Sequence, residues 1–156
     1  MKKVGSAPTA VRRDPFARPI LYVEDNDDNW RVAELRLGMK FELVRARGDE
    51  QACELLRNSG TRFVAVLMDI ELQGSQLNGI DLTRLIRGRP LTSPLPRFAE
   101  GLPVFDMPVI FMTAYGELLP ESALRAAGGD AMLTKPVDFK QLNMTLMKLY
   151  VDRAPT

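Results

Sequence analysis

The sequence predicts an α/β domain with a doubly wound, five-stranded parallel sheet and helices on both faces. Three observations predict it. Apolar runs of strand length recur at 20–23, 41–44, 63–68, 107–112 and 131–133. The segments between them carry apolar residues at helical spacing. Apart from Glu42 the runs are apolar instead of alternating, as strands covered on both faces are. At 156 residues and 46% apolar composition, the chain supplies one core, which implies a single domain.

The first run ends in Glu24-Asp25, and a helix begins near Asn26, Asp27 or Asp28, any of which can cap it. Trp30, Ala33 and Leu37 fall on one face of that helix, so Trp30 is read as structural, partly exposed at the helix start. A second strand over 41–46 yields at Gly48 to a helix over 49–58, capped by Asp49 and ended by Gly60. The third run closes in Asp69. Asn78-Gly79 precedes a helix over 80–87, with Ile80, Leu82, Leu85 and Ile86 inward. The fourth run ends at Thr113, before a helix over 117–127 that Gly128-Gly129 stops and whose first turn must hold Pro120. The fifth precedes Lys135 and a helix from 137 to about 151. Phe139, Leu142, Leu146 and Leu149 have core spacing there; Met144, Met147 and Val151 either widen that core face, the commoner arrangement, or form an exposed adaptable contact stripe.

An average βα unit takes roughly 20 to 25 residues. Asp25 to Asp69 is 44 positions, about two units, and Thr113 to Lys135 is 22, about one. Asp69 to Thr113 is also 44 yet holds one convincing helix, so the surplus is an insertion. It falls at 90–106, where Pro90, Pro94, Pro96 and Pro103 preclude a long helix; a functional loop and a tolerated surface excursion are equally open readings. Residues 1–18 are basic, Gly/Ser/Pro-containing and without an apolar core, and read as a mobile tail, neither signal peptide nor membrane span. Residues 152–156 read as a C-terminal tail, with no output domain after Thr156.

Lys and Arg total 21 against 20 for Asp and Glu, a net charge of +1 that advertises neither nucleic-acid binding nor an acidic tail. The single cysteine, Cys53, excludes an internal disulfide, fits a reducing cytoplasm, and reads as a partly packed helix residue. There is no histidine, which removes histidine-based triads, His-containing zinc sites and any phosphohistidine on this chain. Gly74 and Gly79 have phosphate-loop separation but no following Lys-Ser or Lys-Thr.

Ligands of open parallel sheets sit beyond the carboxyl ends of the strands, where Glu24, Asp25, Asp69, Thr113 and Lys135 all fall. Three carboxylates gathered there repel by roughly 4 kcal/mol per adjacent pair at an effective dielectric near 20. A divalent, oxygen-preferring cation relieves that, and Mg2+ is the natural choice, with Mn2+ as an alternative. The set suits in-line phosphoryl transfer onto Asp69, with Lys135 and the Thr113 hydroxyl on phosphate oxygens and backbone amides completing the cradle. Taken singly, each residue has a plainer role as a helix cap or surface charge; their shared position and order argue for the site.

The segments ILYVEDN, VLMDIEL, MTAYG and LTKP resemble the signatures of the response-regulator receiver domain of two-component signalling, over about residues 19–151. The resemblance implies a flavodoxin-like receiver fold with strand order 2-1-3-4-5. It implies Asp69 as phosphoacceptor, Asp25 as a direct Mg2+ ligand, Glu24 as one through water, and Glu71 as one through its carbonyl. It further implies Thr113 as the switch hydroxyl, Lys135 followed by a cis Pro136, and phosphate-cradling amides at Glu71 and Ala114. A histidine kinase or histidine phosphotransfer protein would be the donor. Phosphorylation would then switch binding of a protein partner through the face of helix 4, strand 5 and helix 5; a homodimer is left open. The domain would be a stand-alone, cytoplasmic signalling module, not an enzyme beyond self-catalysed transfer and autodephosphorylation, and would engage neither nucleic acid nor membrane.

The chain departs from the family pattern where Met132 replaces the switch aromatic. Glu71 and Tyr115 occupy positions that tune phosphoryl lifetime, and the insertion lies near helix 4. Two alternatives stay open: a receiver-like docking module that signals without phosphorylation, and an aspartate-nucleophile phosphohydrolase. The latter needs a second aspartate where this chain has Glu71.

Overall fold

The apolar runs become five strands, joined by five helices, in a computed structural model that describes residues 17–114 and 120–153. In chain order the elements are β1 (Ile20–Val23), α1 (Asp27–Leu37), β2 (Leu43–Ala46), α2 (Asp49–Ser59), β3 (Ala65–Asp69), α3 (Gly79–Arg87), β4 (Val109–Thr113), α4 (Glu121–Ala127), β5 (Ala131–Thr134) and α5 (Phe139–Arg153). All strand pairs are parallel, and the sheet order is β2-β1-β3-β4-β5, the doubly wound arrangement predicted. Chain direction across the sheet reverses between β1 and β3, so a crevice opens beyond their carboxyl ends.

Strand pleating divides the core into two layers. Leu21, Val23, Val66, Met68, Val109 and Phe111 pack against α2, α3 and α4 on one face. Ile20, Tyr22, Ala65, Leu67, Ile110 and Met112 pack against α1 and α5 on the other. The third and fourth strands begin two residues later than their apolar runs. Phe63 and Val64 are buried before the ladder starts, as are Met107 and Pro108, because burial extends past hydrogen-bonded pairing.

Helix starts depart from the sequence reading in three places. Asp49 is the first residue of α2 and not its cap; the N-cap is Gly48, and the Asp49 carboxylate accepts the N–H groups of Gln76 and Leu77, each at 2.9 Å. Pro120 is the N-cap of α4 instead of lying in its first turn, while the expected 117–119 stretch lies outside the described residues. The last helix begins at Phe139, two residues late, because the Asp138 carboxylate accepts the Gln141 N–H at 2.8 Å. Asn26 and Asn78 cap α1 and α3 through their side chains. On α5, Met144, Met147 and Val151 are 62%, 50% and 71% exposed, so the wide core face is overturned. Cys53 is completely buried, deeper than expected, and burial foremost pushes its thiol up to about 11, which makes it unreactive.

The 90–106 insertion is packed, not loose. Leu91, Phe98, Leu102 and Phe105 lie on the α2–α3 face of the core, and the Phe105 ring occupies the space a Cβ on Gly60 would need. Arg57 on α2 donates to the carbonyls of Phe98 and Glu100. The expected proximity to α4 is carried by Arg87 and Arg89, just ahead of the insertion: Arg87 donates to the Phe105 carbonyl of the insertion and to the Gly128 carbonyl at the end of α4, and Arg89 donates to the Arg125 and Ala126 carbonyls.

Asp81 of α3 pins the insertion. Its buried carboxylate accepts Arg84 Nη1 at 2.7 Å, the Thr92 N–H at 3.1 Å and the Thr92 hydroxyl at 2.7 Å. Burial raises its pKa, but the donors from Thr92, Arg84 and Ser93 outweigh burial and hold it at about 2. A depressed carboxyl pKa stabilises the fold above the unfolded value and loses that contribution as pH falls from about 4 to 2. Asp81→Asn is therefore expected to cost about 2 kcal/mol at pH 7, a gap that closes in urea melts repeated toward pH 2. A pH-independent gap would show that Asp81 acts by packing instead.

Residues 1–16 of the expected N-terminal tail, Tyr115 and residues 154–156 lie outside the described residues. Among the described residues no helix is long and apolar enough to cross a membrane.

Candidate functional site

Glu24 follows β1 directly, its N–H continuing the ladder to the Ala46 carbonyl at 2.9 Å, and it is completely buried. Asp25 is the next residue and half-buried. Asp69 is the last residue of β3, paired in register with Met112, and is 6% exposed. Parallel pairing of β1 and β3 thus brings three carboxylates from two strand ends together, each offering an oxygen within 4.8 Å of the others.

Lys135 reaches this cluster from the far side of β4. Its Nζ lies 3.2 Å from Asp69 Oδ1 and 3.3 Å from Glu24 Oε1. The backbone places it: the Lys135 N–H donates to the Thr113 carbonyl at 2.8 Å, and the Lys135–Pro136 peptide is cis. Glu24 Oε1 also accepts the Tyr22 hydroxyl at 3.3 Å, and Oε2 accepts the Asn26 N–H at 3.1 Å. Asp25 Oδ2 accepts the Gln73 N–H at 2.9 Å.

One cation among three carboxylates leaves the cluster short of positive charge. Burial first, and then the Glu24 charge, push Asp69 up to about 7 against the pull of Lys135. Burial works against the Lys135 ammonium, but the charges of Asp69 and Glu24 outweigh it and raise its pKa. The donors are all oxygens, as a hard divalent cation requires, and Glu24, Asp25 and Asp69 are the side chains that could hold one.

The remaining site residues fall into place unevenly. The Thr113 hydroxyl is buried and donates to the Leu133 carbonyl at 3.4 Å, not to Asp69. Pleating explains this. Thr113 follows the alternation of Val109 and Phe111 toward the α2–α4 face, whereas Asp69 follows Ala65 and Leu67 toward α1 and α5. Ala114 and Glu71 are exposed beside the site. Met132, paired with Phe111, is 40% exposed on β5. Tyr115 lies outside the described residues.

Sequence reasoning missed three participants. The Tyr22 hydroxyl holds Glu24, the Gln73 N–H holds Asp25, and Arg45 donates from Nε to the Glu24 carbonyl at 3.0 Å. Only Tyr22 had a visible signal, as a polar aromatic two residues before Glu24 on the same strand face.

A cavity of about 360 Å3 opens beside the cluster, lined by Tyr22, Asn29, Val32, Ala114, Lys135 and Pro136 among others.

Comparison with known proteins agrees with this geometry. The chain is 28% identical over 149 residues to the sensor protein GacS of Pseudomonas syringae pv. syringae, covering 91% of this chain but 15% of that protein. It is 28% identical to the uncharacterized transcriptional regulatory protein YrkP of Bacillus subtilis, covering 82% of this chain and 47% of that one. With the polar-differentiation response regulator DivK of Brucella ovis it shares 24% identity, over 84% of this chain and 94% of that one. The chain thus spans less than half of GacS and of YrkP. The solved receiver domain of NtrX from Brucella abortus superposes with a TM-score of 0.64 at 20% identity, over 86% of this chain and 99% of that one. Residues 20–147 match the response regulator receiver domain. A parallel sheet in 2-1-3-4-5 order, an acidic cluster at its switch point and a match across that span lead to one conclusion: the chain belongs to the response regulator receiver domain family.

Proposed function

We propose that this domain accepts a phosphoryl group on Asp69 from a histidine kinase or a histidine phosphotransfer protein, in a Mg2+-dependent reaction. The observation that carries the reading is the position of Lys135 Nζ, within 3.3 Å of both Asp69 and Glu24 while three carboxylates converge. Phosphorylation on aspartate is typical of receiver domains, and a chain without histidine needs a partner to supply the group.

Asp69 Oδ1 or Oδ2 attacks phosphorus in line, and the bond from phosphorus to the donor breaks with its electron pair leaving on the donor. Lys135 stands beside the attacking carboxylate, where its ammonium also meets a transferred phosphoryl oxygen. Glu24, Asp25, Asp69 and the Glu71 carbonyl are the proposed metal ligands, and the bound ion supplies charge neutralisation for the transferring group. The amides of Glu71 and Ala114 cradle the remaining oxygens, and Thr113 must leave the Leu133 carbonyl to join them. Glu71 and Tyr115 tune the lifetime of the acyl phosphate. The donor's side chain enters by the cavity beside Lys135, between α1 and Pro136.

Output would pass through α4, β5 and α5, where Met132, Met144, Met147 and Val151 are exposed. The functional unit would be residues 19–151, insertion included, in the cytoplasm. Two observations favour a second reading, a docking module without phosphorylation: the Thr113 hydroxyl is bonded away from Asp69, and Met132 replaces the aromatic.

The test is incubation with acetyl phosphate and Mg2+, read by intact mass. One phosphoryl group, abolished by chelator and removed by hydroxylamine, is expected. No uptake selects the second reading, and uptake indifferent to Mg2+ would overturn the metal's part in the first.

A further inference from the structure

The loop between β3 and α3 supplies two groups to the acidic cluster. Gln73 donates its N–H to Asp25 Oδ2 at 2.9 Å, and the Glu71 carbonyl is a proposed metal ligand. Glu71, Gln73, Gly74 and Gln76 are exposed, so packing alone does not hold this stretch. Its base is closed by the Gly79 N–H on the Ile70 carbonyl at 2.8 Å. Its tip is a turn in which the Ser75 N–H meets the Leu72 carbonyl at 3.3 Å, with Gly74 at φ +80°.

The anchor for that tip comes from another element. Asp49, the first residue of α2, is 5% exposed, and no step of the proposed phosphoryl transfer uses it. Its Oδ2 accepts the N–H groups of Gln76 and Leu77, each at 2.9 Å. Its own N–H donates to the Ser75 hydroxyl oxygen at 3.1 Å, and Oδ1 accepts the Glu50 N–H at 2.8 Å. A Cβ on Gly48 would stand 2.7 Å from that hydroxyl, so glycine there lets loop and helix meet. Ala52, Cys53 and Leu56 seat α2 in the core. The carboxylate is therefore a fixed post to which consecutive loop residues are tied.

We propose that Asp49 is a positioning residue for the divalent cation: by pinning Ser75, Gln76 and Leu77 to α2 it sets the loop, and through the loop the Gln73 N–H on Asp25 and the Glu71 carbonyl. This deepens, and rests on, the Mg2+ reading of the cluster. Asp49 is not among the carboxylates that converge there, so it acts through the loop and not as a ligand. An ion that meets ligands already gathered binds tightly, whereas a slack loop must be ordered as the ion binds, and that ordering weakens affinity. Bonds from backbone N–H groups to a carboxylate are charge-assisted, which makes Asp49 a stiffer anchor than a neutral acceptor.

The experiment measures Mg2+ affinity by calorimetry and stability by urea melts in the full chain. It compares wild type, Asp49→Asn, Asp49→Ala, Gln73→Pro, the Asp49→Ala/Gln73→Pro double variant and Asp81→Asn. Asp49→Ala is expected to bind Mg2+ about tenfold more weakly, the scale typical of residues that hold metal ligands in place. Asp49→Asn should bind about threefold more weakly, since its amide oxygen keeps the loop N–H groups while its NH2 opposes the Glu50 N–H. This milder variant carries the test even where Asp49→Ala does not fold. Gln73→Pro deletes the N–H that Asp25 receives, yet proline suits the second position of a turn whose third residue has φ +80°. It should weaken binding about fivefold, and the two losses should overlap, leaving the double variant within about twofold of Asp49→Ala. Asp81→Asn, which releases the insertion and not this loop, should lose stability and keep wild-type Mg2+ affinity. Wild-type affinity in a folded Asp49 variant, losses that multiply in full in the double variant, or an equal loss in Asp81→Asn would each overturn the assignment. A wild-type chain that takes up no Mg2+ removes the metal reading itself, and Asp49's part with it.

Discussion

Asp69→Asn is expected to take up no phosphoryl group and yet, free of metal at pH 8, to be more stable than wild type by about 2 kcal/mol or more. The two effects share one cause. Asp69 closes β3 inside a cluster that includes Glu24 and Asp25, and one lysine serves the group. Its pKa rises from an ordinary 3.8 to about 7, by burial first and by the Glu24 charge second, with Lys135 opposing. Below pH 4 the carboxyl is protonated in both folded and unfolded chains, and no penalty exists. Between pH 4 and 7 the unfolded chain gives up the proton while the folded chain retains it, so stability falls as pH rises. Above 7 the penalty is constant. The full gap corresponds to a ceiling of about 4 kcal/mol, with the opposing pull of Lys135 already counted. Asparagine cannot ionise, so its advantage should be absent at pH 4 and grow through that window.

Urea melts in chelator at pH 4, 6 and 8 measure this directly. Added Mg2+ should reverse the order, because it binds the folded wild type more tightly and stabilises it by mass action. An asparagine variant no more stable than wild type at pH 8 would mean that the carboxylates do not strain the fold, and the argument for a metal in the cluster would fail with it. The loss of phosphoryl uptake has a simpler origin: an amide oxygen is a poor nucleophile and carries no charge for the ion or for Lys135 to balance.

How much of this could be read from the sequence depends on the range of the interaction. Glu24, Asp25, Asp69 and Lys135 were legible because each interrupts or follows an apolar run, and parallel strands bring their ends to one pole. The direction of the Thr113 hydroxyl was not, because its acceptor, the Leu133 carbonyl, is 20 positions away on the neighbouring strand. Asp49 looked like a helix cap since its type and place fit. Its carboxylate instead serves Gln76 and Leu77, a contact across 27 and 28 positions that no window of sequence contains. The insertion was located by counting and by its prolines. That Leu91, Phe98, Leu102 and Phe105 would seat it on α2 and α3 depended on partners such as Gly60, whose missing Cβ makes room for a ring. The methionine stripe of α5 failed for the reverse reason: apolar type was taken as burial, although exposed apolar side chains are common on folded surfaces.

Gly79→Ala is expected to destabilise the chain by about 4 kcal/mol or more, a size that requires direct collision in a packed interior. A Cβ on Gly79 would overlap the carbonyl oxygen of Asp69 and crowd the Ile70 Cα. The first turn of α3 lies against the backbone of the proposed phosphoacceptor and is tied there by the Gly79 N–H on the Ile70 carbonyl at 2.8 Å. Relief could come by moving α3, which carries the Asp81 clamp, or by moving Asp69 away from Lys135. Gly79 does not have a positive φ, so the cost is steric and not conformational. Gly74, in the same loop, is the matched control: its φ is +80° and nothing lies within 4 Å of a Cβ there. Gly74→Ala should therefore cost only about 1 kcal/mol of backbone strain and leave Mg2+ binding intact. Urea melts of the two variants decide the matter, with Mg2+ titration of whatever folds. If Gly74→Ala proved the more damaging, the close approach of α3 to Asp69 would not be what holds this site in shape.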